Sequence, residues 1–306
     1  MRGIFAGLLL VIAPVGAYAG AGEASGEFLR IVPDSRSAAM GEAATALADD
    51  ASAVYWNPAA LALADKRSVL LSHSAYIGSG NLGFAGVSAR RGVWGAGLSA
   101  QYFNAGFVGQ TDLSGAEQGE FTPSDLALTC AAARAVEIPS SSRFSRASVG
   151  VGVKYVRTSL LKTAQTEAVD VGVLAEAFER RLRAGLTAAN LGGKLKYESE
   201  AFSLPAIMRG GVSYALSSNW RFSIEGGVPF QGTSYGAAGV EAVVVRTRSL
   251  AFSVRGGFNS RLIEGVDGFR TISMGFGLEG PIRLDYALVP MGNLGLVHRA
   301  SLGLAF

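Results

Sequence analysis

From residue 68 to the end of the chain, apolar and polar side chains alternate in segments of about ten residues, separated by short turns. Fourteen segments can be marked, at 68–77, 82–91, 92–103, 122–135, 145–158, 167–178, 182–191, 206–216, 219–228, 236–246, 249–258, 269–278, 281–288 and 298–306. A period of two places successive side chains on opposite faces of a strand. A tilted strand needs roughly 9–11 residues to cross a bilayer, which is close to the length of each segment. The alternation is regular. Val149, Val151, Val153 and Tyr155 share one face against Gly150, Gly152 and Lys154. Leu250, Phe252, Val254 and Phe258 oppose Ser253, Arg255 and Gly257, and Ile282, Leu284, Tyr286 and Leu288 oppose Arg283 and Asp285.

A soluble sandwich also alternates, so composition must separate the two readings. Apolar residues make up 49% of the chain and charged residues only 17%, while 41 of the 306 residues are glycine. The polar faces are rich in glycine and small residues with scattered charges, whereas a soluble sheet would show water many more Lys and Glu. Sparse polar faces suit a barrel lumen, with the apolar faces turned to lipid. The expected fold is therefore all-β, a transmembrane antiparallel barrel of about 14 strands in an outer membrane. The formal charge of +3 includes no basic block, so nucleic acid is not an expected partner. The lone Cys130 is expected to be a buried small hydrophobe. The stretch Gly106 to Gly119, with few hydrophobes, is expected to be a mobile external loop.

The N-terminal part differs. Arg2, the apolar run Leu8 to Val15 and the small-x-small Ala17-Tyr18-Ala19 predict a signal peptide over residues 1–19, with a retained anchor as the alternative. Ser35 to Leu61 reads SRSAAMGEAATALADDASAVYWNPAAL. Its alanines, Met40, Glu42 and Leu47 favour helix across Ser37 to Asp49, and Pro58 steers Asn57 out of the helical region. This gives a short helical segment, within residues 20–66, in front of a barrel over 67–306.

Three blocks carry a resemblance. ALADDASAVYWNPAAL resembles the N-terminal hatch of FadL-like outer-membrane proteins of the PorV/PorQ group. Asn190 to Leu216, NLGGKLKYESEAFSLPAIMRGGVSYAL, is similar to an internal block of that group. Leu284 to Phe306 is similar to its closing block, with Asp285-Tyr286, Leu294-Gly295, His298-Arg299 and Ser301. The resemblance implies a hatch inside a fourteen-stranded barrel of a diderm bacterium. It also implies one of two activities: a passive conduit for small hydrophobic compounds, or a type IX secretion scaffold that binds C-terminal domains of secreted proteins. A terminal aromatic, Phe306, resembles the signal that such barrels present to the assembly machinery.

No constellation of catalytic residues emerges, so no enzyme, cofactor or metal is expected. His73 and His298 lie on distant segments, and no G-x-S-x-G elbow stands in a strand–helix setting. Asp49 and Asp50 could hold a cation, but Asp50 capping the turn at Ala51-Ser52-Ala53 is the simpler reading. Trp56, Asn57 and Pro58 read as a packed bend, the indole wedged on the lumen wall, Asn57 bonding local backbone and Pro58 fixing the turn. The hatch residues Asp49, Asp50, Tyr55, Trp56, Asn57 and Pro58 are the candidate gate. Lumen charges Lys154, Asp170, Glu176, Arg209, Glu225, Arg255, Arg283 and Asp285 are expected to pair with each other or with the hatch, since burial of single charges is costly. His298-Arg299 is expected at the barrel rim.

Overall fold

The computed structural model describes residues 24–64, 67–112, 114–138, 144–197, 200–261 and 271–306. The expected signal peptide, residues 20–23 and residues 65–66 lie outside them. Two short helices come first, α1 (Ser35–Ala39) and α2 (Ala53–Trp56), flanked by 3-10 turns at Glu27–Arg30 and Pro58–Ala62. The strands follow. The first five are β1 (Ser68–Ala75), β2 (Asn81–Arg91), β3 (Trp94–Asn104), β4 (Val108–Thr111) and β5 (Glu117–Phe121). Next are β6 (Ser124–Glu137), β7 (Phe144–Ser159), β8 (Thr163–Ala177), β9 (Leu182–Leu191), β10 (Lys194–Tyr197) and β11 (Glu200–Ser203). The last are β12 (Ile207–Ala215), β13 (Trp220–Pro229), β14 (Tyr235–Arg246), β15 (Ala251–Asn259), β16 (Ile272–Glu279), β17 (Ile282–Pro290) and β18 (Leu296–Ala305).

Among the described residues fourteen strands close into one antiparallel barrel, each beside its sequence neighbour in the wall, with β1 sealed against β18. Ser68 pairs with Ala305 and Ala75 with His298 across that seam. Closure leaves no open edge, the condition for backbone in hydrocarbon. The alternation sorts the faces as the sequence predicts. Val149, Val151 and Val153 are half exposed on the outside, while Lys154 is buried in the lumen. Trp94, Trp220 and Phe222 stand outward at the end with the shorter turns, an aromatic rim expected at a membrane interface.

Two connections carry hairpins of their own, and the expectation for Cys130 needs correction. The 106–119 stretch, expected as a mobile external loop, carries a two-stranded hairpin, β4 with β5, in the connection between β3 and β6. Asp112 organises its turn, accepting from Ser114 N at 2.8 Å and Ala116 N at 3.0 Å. The Ser114 hydroxyl, and then these backbone donors, hold the Asp112 carboxyl down at about 2. A second small hairpin, β10 with β11, fills the connection from β9 to β12. Cys130 is exposed on the outer face of β6, because it has the same parity as Leu126 and Leu128.

Candidate functional site

The hatch enters the lumen from the end bearing the two hairpins and leaves at the opposite end, into β1. Asp34 caps α1, accepting from Ser37 N at 2.9 Å, and its other oxygen accepts from Trp56 Nε1 at 3.0 Å. The helix expected over Ser37 to Asp49 covers only Ser35–Ala39. The cause is contact with the wall. Gly41 takes φ +67° and lies so close to β15 that a Cβ there would meet Phe258 O at 2.5 Å. Reciprocally, a Cβ at Gly257 would come within 1.9 Å of Gly41 N. On the other side of the lumen, Gly150 faces Ala59 N at 2.4 Å and Gly172 faces Asn57 Oδ1 at 2.1 Å by the same measure. Lumen-facing glycines on opposite walls thus receive the hatch backbone directly.

Charges complete the fit. Arg36 of α1 grips Glu241 of β14 through two parallel hydrogen bonds of 3.0 Å, and its Nη1 reaches Asp49 at 2.9 Å. Glu241 also accepts from Arg255 at 2.7 Å, and Arg255 donates to Asp285 at 2.7 Å. Asp285 lies 2.9 Å from Arg283, which donates in turn to Asp50. Arg221 adds a looser contact to Asp49 at 3.5 Å. These residues form a belt of alternating sign that runs from one hatch carboxylate to the other through β14, β15 and β17. Removing Arg255 or Asp285, the members with buried side chains, strands its neighbour at a cost of about 3–5 kcal/mol. Burial alone would raise Asp49 and Asp50, but Arg36 and Arg221 hold Asp49 well below the usual carboxylate range, and Arg283 lowers Asp50. Asp50 also accepts from Ser52 N at 2.8 Å, the local turn role expected of it.

The other candidate residues fall in separate places. Asn57 accepts from Ala59 N at 3.1 Å and donates to Thr45 O at 3.3 Å and Val173 O at 3.1 Å, so it ties the bend to both hatch and wall. Pro58 opens the following 3-10 turn. Arg209 lies over the Trp56 ring at 4.9 Å and the Tyr55 ring at 5.3 Å, and donates to Tyr55 O at 3.3 Å. Lys154 pairs with Asp170 at 3.0 Å and donates to Asn190 at 2.6 Å, apart from the belt. Glu176, deep in the wall, lies 3.6 Å from Arg183. Arg299 is not at the rim. It is buried, donating to Val32 O and to Ser74 Oγ at 3.3 Å.

Sequence reasoning missed Arg36, Glu241 and Arg183. Glu225 accepts from Ala44 N at 2.9 Å and Thr45 N at 2.7 Å, while Arg183 donates to Leu47 O and Ala48 O, both at 3.0 Å. Glu241 could have been found by parity, because it shares its face with Gly239. Arg36 had no such signal. Above the belt, toward the hairpin end, a cavity of about 90 Å3 opens between Arg30, Tyr76, Arg261, Ile272, Met291 and Arg299. Among the described residues no group of three His, Cys, Asp or Glu gathers for a metal.

The family model described as type IX secretion system protein PorV matches residues 22–228. A comparison with curated proteins finds no match. Among solved structures, the chain is similar to a Pseudomonas aeruginosa FadL homologue, at 10% identity and a TM-score of 0.59, covering 90% of this chain and 98% of that one. It is likewise similar to the Ralstonia pickettii toluene transporter TbuX, at 14% identity and a TM-score of 0.58, covering 89% and 97%. The CymD monoaromatic hydrocarbon channel aligns at 11% identity and a TM-score of 0.59, covering 90% and 97%. At these identities the structural likeness speaks to the fold. With the family match spanning more than half of its length, this hatch-filled outer-membrane barrel belongs to the PorV family.

Proposed function

We propose that the protein is a hatch-gated passive conduit for small hydrophobic compounds in the outer membrane of a diderm bacterium, without catalysis. One observation carries this reading: the lumen is filled by a resident segment fitted to wall glycines, and beyond it a cavity opens toward the hairpin end. Structural neighbours that conduct monoaromatic hydrocarbons support it. In this reading the longer connections face outward, lipid surrounds the apolar wall, and Phe306 meets the assembly machinery. The test is uptake of N-phenyl-1-naphthylamine by cells whose outer membrane excludes it. Wild type should raise uptake over a vector control, and Asp49→Asn/Asp50→Asn should raise it further. Uptake equal to the control in both overturns the conduit.

A second reading, a scaffold in protein export, draws on the family match and on the belt that pins the hatch. Recovery of C-terminal domains of secreted proteins with this barrel from outer membranes, with no uptake, would select it.

A further inference from the structure

On the outer wall, at the end with the shorter turns, neighbouring strands build an arrangement in which the hatch has no part. Arg91 of β2 pairs with Trp94 of β3, and Trp94 pairs with Arg134 of β6, so the row reads Arg, Trp, Arg. All three side chains are exposed. Arg134 leans over the indole between the two cations, its Cζ 5.4 Å from the ring centroid. Among the described residues neither Arg91 nor Arg134 meets a carboxylate, unlike Arg255 and Arg283 of the lumen. One row deeper into the wall stand Ala89, Ala96 and Ala132, a shelf of methyl groups on the same outer face. Beyond the shelf, at Val87, Leu98 and Cys130, a groove of about 580 Å3 begins. It runs on over Ala85 and Ala100, between Leu71 and Leu128.

We infer that this face binds one anionic phospholipid, its phosphate between Arg91 and Arg134 and an acyl chain lying over the alanine shelf into the groove. Charge complementarity selects the occupant. Two guanidiniums without a carboxylate, set at a membrane interface, call for an anion, and arginine presents parallel N–H donors that match phosphate oxygens. Trp94 marks the depth, because tryptophan rests at the headgroup level. The lengths agree as well. At about 3.3 Å per residue, Trp94 to Ala100 covers about 20 Å along β3. A strand tilt of about 45° turns this into about 14 Å of depth, close to one leaflet's half of a hydrocarbon core about 30 Å thick. A second barrel docked here about a two-fold axis would set the same arginines against each other. With the longer connections outward, the bound lipid belongs to the leaflet that faces the periplasm.

The probes are phosphatidylglycerol and phosphatidylcholine brominated on their acyl chains, in vesicles that hold the full-length protein, with quenching of tryptophan fluorescence as the readout. Trp220→Phe leaves Trp94 as the lipid-facing reporter, and Trp94→Phe leaves Trp220, across the barrel on β13. Trp56, buried in the lumen, adds a constant background. At Trp94 phosphatidylglycerol should be preferred about tenfold over phosphatidylcholine. Arg91→Gln/Arg134→Gln should abolish that preference, and an unchanged preference would overturn the site. Equal preference at Trp94 and Trp220 would assign the effect to the charge of the whole rim and overturn it too. Inorganic phosphate should not compete when compared with chloride at equal ionic strength. Competition would leave a site for the free anion and remove the lipid. Shielding of Trp94 from both brominated lipids, with migration as a dimer, would give the wall to a second copy and overturn the proposal. Heat-modifiable migration checks the fold of the double variant, and where it does not fold, the comparison of the two tryptophans decides.

Discussion

Arg283 joins the barrel wall to the hatch: its Nη2 donates to Asp50, while its Nε lies 2.9 Å from Asp285 of the same strand. Asp285 is fully buried at its side chain and also serves Arg255, so a single wall carboxylate positions two arginines. A double-mutant cycle between Asp50→Asn and Arg283→Met should return a coupling of about 1–3 kcal/mol, in the range for residues that share one network. Urea unfolding followed by heat-modifiable migration gives the four stabilities. Additive losses would show that the pair does not hold the hatch.

The belt also sets a pH window. Asp49 and Asp50 titrate below their unfolded value of about 3.9, so their contribution is present above that value and fades as the pH falls below it. Conductance across planar bilayers should therefore stay flat from about pH 8 to pH 5 and rise only below about pH 4. An increase centred near pH 6 would point to another group.

Gly256 and Gly257 are adjacent on β15 but face opposite sides. A Cβ on Gly256 would meet nothing nearer than Val240 Cγ1 at 3.9 Å, whereas one on Gly257 would strike the hatch backbone. Gly257→Val should displace residues 38–42 and cost at least about 1–3 kcal/mol, with Gly256→Val close to wild type. Amide exchange across α1 and Gly41 reads the difference, and equal protection in both variants would remove the close fit.

How far the sequence led depends on the kind of interaction. Outward Val149, Val151 and Val153, and lumenal Lys154, were legible because a strand has one strict period. Asp285, Arg255 and Arg283 were legible as lumenal for the same reason, but their order in a belt was not. That order needs Arg36, which lies 205 residues from Glu241 in the chain. The truncated α1 was illegible because alanine propensity favours helix, while the wall overrides it at Gly41. The β4–β5 hairpin escaped notice because its strands have no apolar face, all but Phe121 being exposed. Arg299 was misplaced because a residue next to His298 near a strand start reads as rim until Val32 O is brought to it.

The membrane assignment itself makes a sharp prediction at Val153. This residue is 57% exposed on the outer face of β7, paired with Cys130 of β6 and Val169 of β8. In a soluble barrel such an exposed valine would accept arginine within about 0.5 kcal/mol. In a bilayer the same change puts a guanidinium at mid-wall, at a cost of about 2–4 kcal/mol. The comparison to make is Val153→Arg against Thr163→Arg, the latter at the exposed end of β8 beside the hairpin-side connection. Unfolding in lipid vesicles should separate the two by that amount, because the penalty falls toward zero near the interface. Equal stabilities would contradict a lipid-facing wall, since only an apolar surrounding makes depth matter for a charge on an already exposed position.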